Sequence, residues 1–478
     1  MKKIVLLCLA IVICTYSLQA HIKLPAIFTD NMVLQQKTKV PFSGTANPSA
    51  TVTITTPWNG KKYTGTADTY GAWKINVSTP AYGGPYEITL SDGEDLTLHN
   101  VLIGEVWFCS GQSNMEMPLA GWGKIKDYEQ EIAKANYPNI RLLQVIRTAS
   151  QSPTDTVPLW EGGWQACTSK SIPEFSATAY FFAREIYEKT HVPIGLIHSS
   201  WGGTYVEAWM SENSLTKFTD LKEAYGQMKA KAISSFDIKN GNQPTVLYNA
   251  MVEPFIHFPI KGAIWYQGES NADRAKAYGD LFPAMIKDWR AKWDIGNFPF
   301  YFVQLASFMK KENEPGASNW AMLRESQTQA LKLPNTGMAV IIDIGDADNI
   351  HPKNKQDVGK RLALQALHHT YKQKITPDGP ILKSHKIKGN EVMLNFDESA
   401  GPIVFKASEG AHAFAIAGKD HKFYWAKATQ NGSQLILSSP KVSQPEAVRY
   451  GWANNPDAVL FNSEGLPASP FRTDKWEE

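Results

Sequence analysis

The stretch VLIGEVWFCSGQSNMEMP, residues 101–118, decides how the chain is read. Its apolar run reads as a buried strand that breaks at Ser110-Gly111 and delivers Ser113 to the start of a helix. A serine at the carboxyl end of such a strand stands where open α/β sheets bind ligands. The helix N-terminus also offers backbone N–H groups to a developing oxyanion. Ser113-Asn114-Met115-Glu116 equally fits a capping box, in which the serine only caps the helix. Taken alone the segment favours the cap, so the other polar clusters must decide.

On the carboxyl side, strands and helices alternate. Strand-like runs lie at 140–146, 193–198, 262–266, 298–305 and 338–344. Helical spacing appears at 175–189, 248–258, 281–293 and 355–371. This predicts an α/β domain over 101–372, three layers deep around a mainly parallel sheet. On the amino side, 21–100 reads as all-β. Runs 51–56, 73–77 and 86–90 alternate, and Trp58-Asn59-Gly60 marks a hairpin turn, which predicts a small sandwich. From 373 to 478 the pattern returns to β. Strands are expected at 391–396, 423–426 and 435–438, turns at Gly389-Asn390 and Asn431-Gly432, and a loop rich in Gly, Pro and Ser at 462–471.

A chain of 478 residues exceeds one ordinary core, and 43% hydrophobic with 20% charged residues is a globular balance. Residues 1–20 combine Lys2-Lys3, an apolar run over 4–14 and the end Leu18-Gln19-Ala20. That is the pattern of a secretory signal peptide cleaved before His21, so a periplasmic or extracellular protein is expected. Leu7 and Ile13 precede Cys8 and Cys14, which argues against lipidation, and no later run suits a bilayer span. Cleavage removes two of 48 basic residues and none of 46 acidic ones, leaving charge balanced. With no long basic run, neither nucleic acid nor an anionic membrane surface is expected as a partner. Cys109 and Cys167 remain, and export permits a bridge between them, although Cys109 at a strand end suits a small inert thiol better. No Cys/His spacing resembles a zinc site, so neither metal nor cofactor is expected. Fifteen Trp and eighteen Tyr suit sugar stacking and sandwich cores alike.

Four loops that follow strands hold unusual polar residues. The first is 111–115. The second, 199–204, carries Gly202-Gly203, where backbone can approach a substrate closely or simply turn toward a helix. The third, Gln267-Gly268-Glu269-Ser270-Asn271, directly follows the apolar GAIWY. Such polar groups cost stability unless paired, which points them into a site. Gln267 and Asn271 could donate to an oxyanion and Glu269 could orient a base, while Ser270 and Asn271 also suit a helix cap. The fourth, 343–352, holds Asp343, Asp346, Asp348 and His351. Three residues apart, Asp348 and His351 can meet in a turn as orienting carboxylate and general base. Gly and Glu are missing from the calcium-loop positions, so cation binding is disfavoured.

Together these four blocks resemble the SGNH-type carbohydrate O-acetylesterases, and within them the sialate O-acetylesterase branch, with acetylxylan and xyloglucan acetylesterases as relatives. Cys-Ser-Gly-Gln-Ser-Asn-Met and Ser-Ser-Trp-Gly-Gly-Thr carry the resemblance most specifically, and it covers 101 to about 371. It implies a three-layer, flavodoxin-like sheet domain and a serine esterase acting on O-acetylated sialic acid or plant cell-wall glycan. Ser113 would be the nucleophile, His351 the base and Asp348 its acid, with Glu269 competing for that last role. The N–H groups of Ser113 and Gly203 would line the oxyanion hole, with Gly202 the weaker donor. The third block departs from the wider SGNH pattern of Gly-x-Asn-Asp, which leaves Gln267 or Asn271 as side-chain donor. Two other readings compete: a non-catalytic glycan-binding protein on an esterase fold, and a glycoside hydrolase using Glu269 and Asp348. The second gives Ser113 no role.

Overall fold

A computed structural model describes residues 22–231, 241–406 and 411–477; the leader expected at 1–20 lies outside the described residues. Seven strands form the central sheet: β1 (Asp95–Gly111), β2 (Asn136–Gln144), β3 (Gln165–Thr168), β4 (Ile194–Ser200), β5 (Gly262–Tyr266), β6 (Phe300–Val303) and β7 (Thr336–Ala339). They lie in the order β7-β6-β5-β1-β4-β2-β3, parallel throughout except for β3, which runs antiparallel to β2. The fold is therefore α/β, with a mixed central sheet and β regions before and after it.

The helices that matter are α1 (Ser113–Glu116), α2 (Ala177–Thr190), α3 (Ala275–Trp293), α4 (Asn319–Thr328) and α5 (Lys355–His369). Neighbouring residues of β1 point to opposite faces and so report what covers each. Trp107 meets Phe182 of α2, and Phe108 meets Trp289 and Trp293 of α3. Helix α5 packs on α2, where a Cβ on Gly359 would sit 2.5 Å from the Phe181 side chain. The sheet is thus the middle of three layers. From Val101 onward every residue of β1 is buried, as a strand covered on both faces requires.

Strand β1 is 17 residues long because it serves two regions. Its first half pairs antiparallel with strand Gly83–Ser91 and parallel with Val33–Gln35 in the amino-terminal β region. Its second half enters the central sheet, so the division expected at 100/101 falls inside one unbroken strand. Arg141, buried in β2, closes the join with hydrogen bonds to Asn31 and Asn100. The expected hairpin forms between Thr51–Thr55 and Lys62–Thr66. The carboxyl-terminal region has its own apolar core, around Val392, Leu437 and Tyr450. Buried Arg324 of α4 ties it to the α/β domain through the Ala453 and Asn454 carbonyls.

Several expectations need correction. Residues 248–258 do not form a regular helix: a π-turn over Tyr248–Val252 gives way to a 3-10 turn at Glu253–Phe255, where Pro254 lacks the N–H a helix needs. The capping box is also absent. Gln112 is the cap residue, Ser113 is already helical, and Glu116 is turned to other partners. Cys109 and Cys167 are both free and buried. They sit on β1 and β3 with two strands between them, beyond the reach of a disulfide. Among the described residues no helix is long and apolar enough to cross a membrane.

Gly111 has φ +143°, and a Cβ there would lie 2.1 Å from the Tyr266 carbonyl oxygen. Gly111→Ala is expected to lower unfolding stability by about 2 kcal/mol or more, read from the midpoint of urea denaturation.

Candidate active site

The carboxyl ends of β1, β4 and β5 bring the first three loops side by side. Gln112 N–H donates to the Tyr266 carbonyl at 3.0 Å, and Trp201 N–H donates to the Gly111 carbonyl at 3.1 Å. The Gln112 side-chain oxygen accepts from the N–H groups of Gly268 and Ser270, each at 3.3 Å. One residue thus fastens the β1 loop to the β5 loop. Ser113 follows on α1, partly exposed, and its hydroxyl forms no hydrogen bond with a described residue.

The β4 loop is fixed by Glu116. Its Oε2 accepts from Gly202 N–H at 2.9 Å, and Arg147 grips the carboxylate at 2.6 and 2.7 Å. A Cβ on Gly202 would meet both Glu116 Oε2 and the Ser113 Cβ at 3.1 Å, so the glycine pair passes directly beside Ser113. Gly203 follows in the left-handed region at φ +75°, with open space where a side chain would be. Gly202's N–H is spent on Glu116. Those of Ser113 and Gly203 donate to no other described group.

The third loop differs from the expectation. Gln267 Nε2 donates to the Thr204 carbonyl at 3.1 Å and to Asn271 Oδ1 at 2.6 Å, which uses both of its hydrogens. Asn271 Oδ1 also accepts from Val206 N–H, and its Nδ2 donates to Glu207, itself paired with Arg274. Gln267 and Asn271 therefore knit the β4 and β5 loops together, and Gln267 keeps no hydrogen for an oxyanion. Both are buried, and a buried amide is spent on whichever partners lie nearest. Glu269 turns toward α1 and accepts from Asn114 Nδ2 at 2.6 Å. Its Oε2 is sealed from solvent without a partner, and burial raises its pKa from the ordinary carboxylate range.

The fourth loop carries two side-chain-to-backbone turns. Asp346 accepts from Asp348 N–H at 3.0 Å, and Asn349 accepts from His351 N–H at 2.9 Å. These turns send the Asp348 side chain to solvent, so the local contact expected with His351 is not made. The His351 ring is half-buried, lies 5.2 Å from the ring of exposed Trp122 and packs edge-to-face on it. Burial and then the nearby Lys355 charge lower its pKa below the ordinary 6.5.

Sequence reasoning missed Asn114 and Lys355. Asn114 Nδ2 donates to the Ile350 carbonyl as well as to Glu269, and its Oδ1 accepts from Lys355 Nζ at 2.6 Å. Lys355 is fully buried at the first position of α5, where burial pulls its pKa down to about 7 against the opposing pull of Glu269. One signal was available: a lysine in a helix's first turn opposes the macrodipole and needs a reason to be there.

Comparisons with known proteins identify the family. A family model described as carbohydrate esterase, sialic acid-specific acetylesterase matches residues 103–368. Mouse sialate O-acetylesterase is 32% identical over 512 residues, covering 93% of each chain. The human sialate O-acetylesterase is 32% identical over 486 residues, covering 92% of this chain and 90% of its own. The crystal structure of a carbohydrate acetylesterase from Xanthomonas citri is 40% identical, with a TM-score of 0.86, over 95% of this chain and 100% of that one. With all four loops lying inside or at the edge of the matched span, the chain belongs to the sialic acid-specific acetylesterase family of carbohydrate esterases.

Proposed function

We propose that this protein is an exported serine esterase of the SGNH type that removes O-acetyl groups from carbohydrate, with O-acetylated sialic acid as substrate. One observation carries the reading. Beside Gly202, whose N–H is spent on Glu116, the Ser113 hydroxyl and the N–H groups of Ser113 and Gly203 stay unspent among the described residues. A hydroxyl beside free N–H donors is what acyl transfer needs. With the edge pair β2–β3 set aside, β4-β1-β5-β6-β7 follows the 2-1-3-4-5 order of flavodoxin-like sheets, which supports the SGNH assignment. The exposed face of Trp122 beside His351 suits stacking on a sugar ring.

The mechanism follows from these parts. Ser113 Oγ attacks the acetyl carbonyl carbon while His351 takes its proton. The new oxyanion accepts from the N–H groups of Ser113 and Gly203. Collapse breaks the ester bond, and the sugar oxygen leaves with the proton from His351 as an acetyl-serine forms. Water, deprotonated by His351, then releases acetate and restores Ser113. Asp348 orients His351 through the Asp-x-x-His spacing, in a hydrogen bond that is absent from the free protein and forms when substrate binds. Glu269 instead steadies Asn114, next to the nucleophile.

Ser113→Ala is expected to abolish p-nitrophenyl acetate hydrolysis with the thermal midpoint nearly unchanged, and an active variant would reject the nucleophile assignment. Asp348→Asn should then cost far more kcat than Glu269→Gln; the reverse order would transfer the orienting role to Glu269. Acetate release compared on O-acetylated sialic acid, acetylated xylan and acetylated xyloglucan should be fastest on the first, and a preference for either plant glycan would reassign the substrate.

Glu116→Ala frees Gly202 and lets the Gly203 donor drift, so kcat should fall by about 10²-fold. Stability should change by less than about 1 kcal/mol, because Arg147 is half exposed. As the base, His351 must be neutral to act, and burial with the Lys355 charge holds its pKa below 6.5. The acidic limb of the kcat/KM profile, read with p-nitrophenyl acetate, should therefore have its midpoint below pH 6.5.

A further inference from the structure

We propose that Lys355 is a positioning residue whose buried ammonium fastens the loop carrying His351 to the helix carrying Ser113, acting through Asn114. The inference rests on the proposed roles of Ser113 and His351 and adds a component that none of the four sequence blocks contains. Lys355 Nζ donates to Asn114 Oδ1 at 2.6 Å and to the Pro352 carbonyl at 2.9 Å. Asn114 Nδ2 donates in turn to the Ile350 carbonyl at 3.0 Å and to Glu269 at 2.6 Å. The two carbonyls flank His351 directly in sequence. The residue next to the nucleophile is thus clamped to both neighbours of the base, and the ammonium is half of that clamp.

A neutral donor could supply the same hydrogen bonds, so the charge calls for its own explanation. Burying an ammonium costs several kcal/mol unless it is paired. Among the described residues Lys355 has no carboxylate at salt-bridge distance: its bonds go to an amide and a carbonyl, and its Nζ lies 5.5 Å from the Tyr266 ring centre. The groups facing it are Glu269 and Tyr266 from β5 and its loop, Asn114 from α1, and His351 from its own segment. Toward His351 the neighbours are Lys355 and the neutral Trp122 ring, while Asp348 points to solvent. A cation so placed disfavours protonation of His351, and so keeps the base free to accept the serine proton in mildly acidic surroundings. As the proton moves from Ser113 to His351, the clamp also holds the two at fixed separation.

The test uses the full chain with p-nitrophenyl acetate as probe, and compares wild type, Lys355→Met and Lys355→Gln. Lys355→Met removes both the clamp and the charge; Lys355→Gln keeps a donor of similar reach and removes only the charge. Lys355→Met should lose roughly ten- to hundredfold in kcat with little change in KM. Lys355→Gln should recover part of that loss. In both variants the acidic limb of kcat/KM should move to higher pH, a change that a purely structural lysine would not produce. A limb that stays at its wild-type pH in folded Lys355→Gln overturns the proposal, as does a wild-type kcat in folded Lys355→Met. If Lys355→Met does not fold, the Lys355→Gln profile decides alone. An active Ser113→Ala would instead strike the underlying mechanism, so the two failures are distinguishable.

Discussion

Everything at the site depends on one unbroken strand and on how tightly it ends. Strand β1 takes its register from the amino-terminal β region, through Gly83–Ser91 and Val33–Gln35, and carries it into the centre of the α/β sheet. A slip of one residue would turn every side chain to the opposite face. Trp107 and Phe108 would exchange the α2 and α3 layers, and the aromatic packing on both faces would be lost. The amino-terminal region therefore does more than append a module. Its core is continuous with that of the α/β domain, and it helps set where Ser113 arrives.

The end of β1 is crowded on purpose of geometry: Gly111 lies against the Tyr266 carbonyl where no Cβ fits, and Gln112 spends its side-chain oxygen on the β5 loop. From there the polar groups sort into two sets. Gln112, Glu116, Gln267, Asn271 and Asn114 are consumed in joining loops, and their bonds are internal to the protein. The Ser113 hydroxyl and the N–H groups of Ser113 and Gly203 are among those left over, as are the buried Gln267 Oε1 and Glu269 Oε2. A preorganised donor is useful because it has no other partner to abandon when charge develops. The many spent amides are what keep the few unspent groups in place.

This division explains what the sequence could and could not reveal. The strand–loop alternation was legible because buried strands such as GAIWY are continuous apolar runs, and β5 matches that run end to end. The four loops were legible because polar clusters directly after such strands are costly without a purpose. Which member of a cluster faces the cleft was not legible. Gln267 and Asn271 have the right chemistry for donors, but their partners, Thr204, Val206 and Glu207, come from another loop some sixty residues away. Local spacing likewise suggested an Asp348–His351 contact, and two backbone turns made by Asp346 and Asn349 override it. Helix boundaries failed for the same reason at Pro254, where one missing N–H outweighs the apolar spacing.

Lys355 shows where local rules break for a reason. A lysine at the first position of a helix faces the positive end of the macrodipole, and burial adds a desolvation cost. Neither propensity nor packing recommends it there. Glu269 breaks a rule of its own, since burial leaves one carboxylate oxygen without a partner. The two violations sit on opposite sides of Asn114 and offset each other in part, as their charges attract across it. A hydrophobic pair would fill this space at lower cost, but it could neither hold Asn114 in one orientation nor place a positive charge near His351. Consistency among levels builds the fold, and its breach at these residues marks the place where the β1 loop is fastened to the segment 350–352.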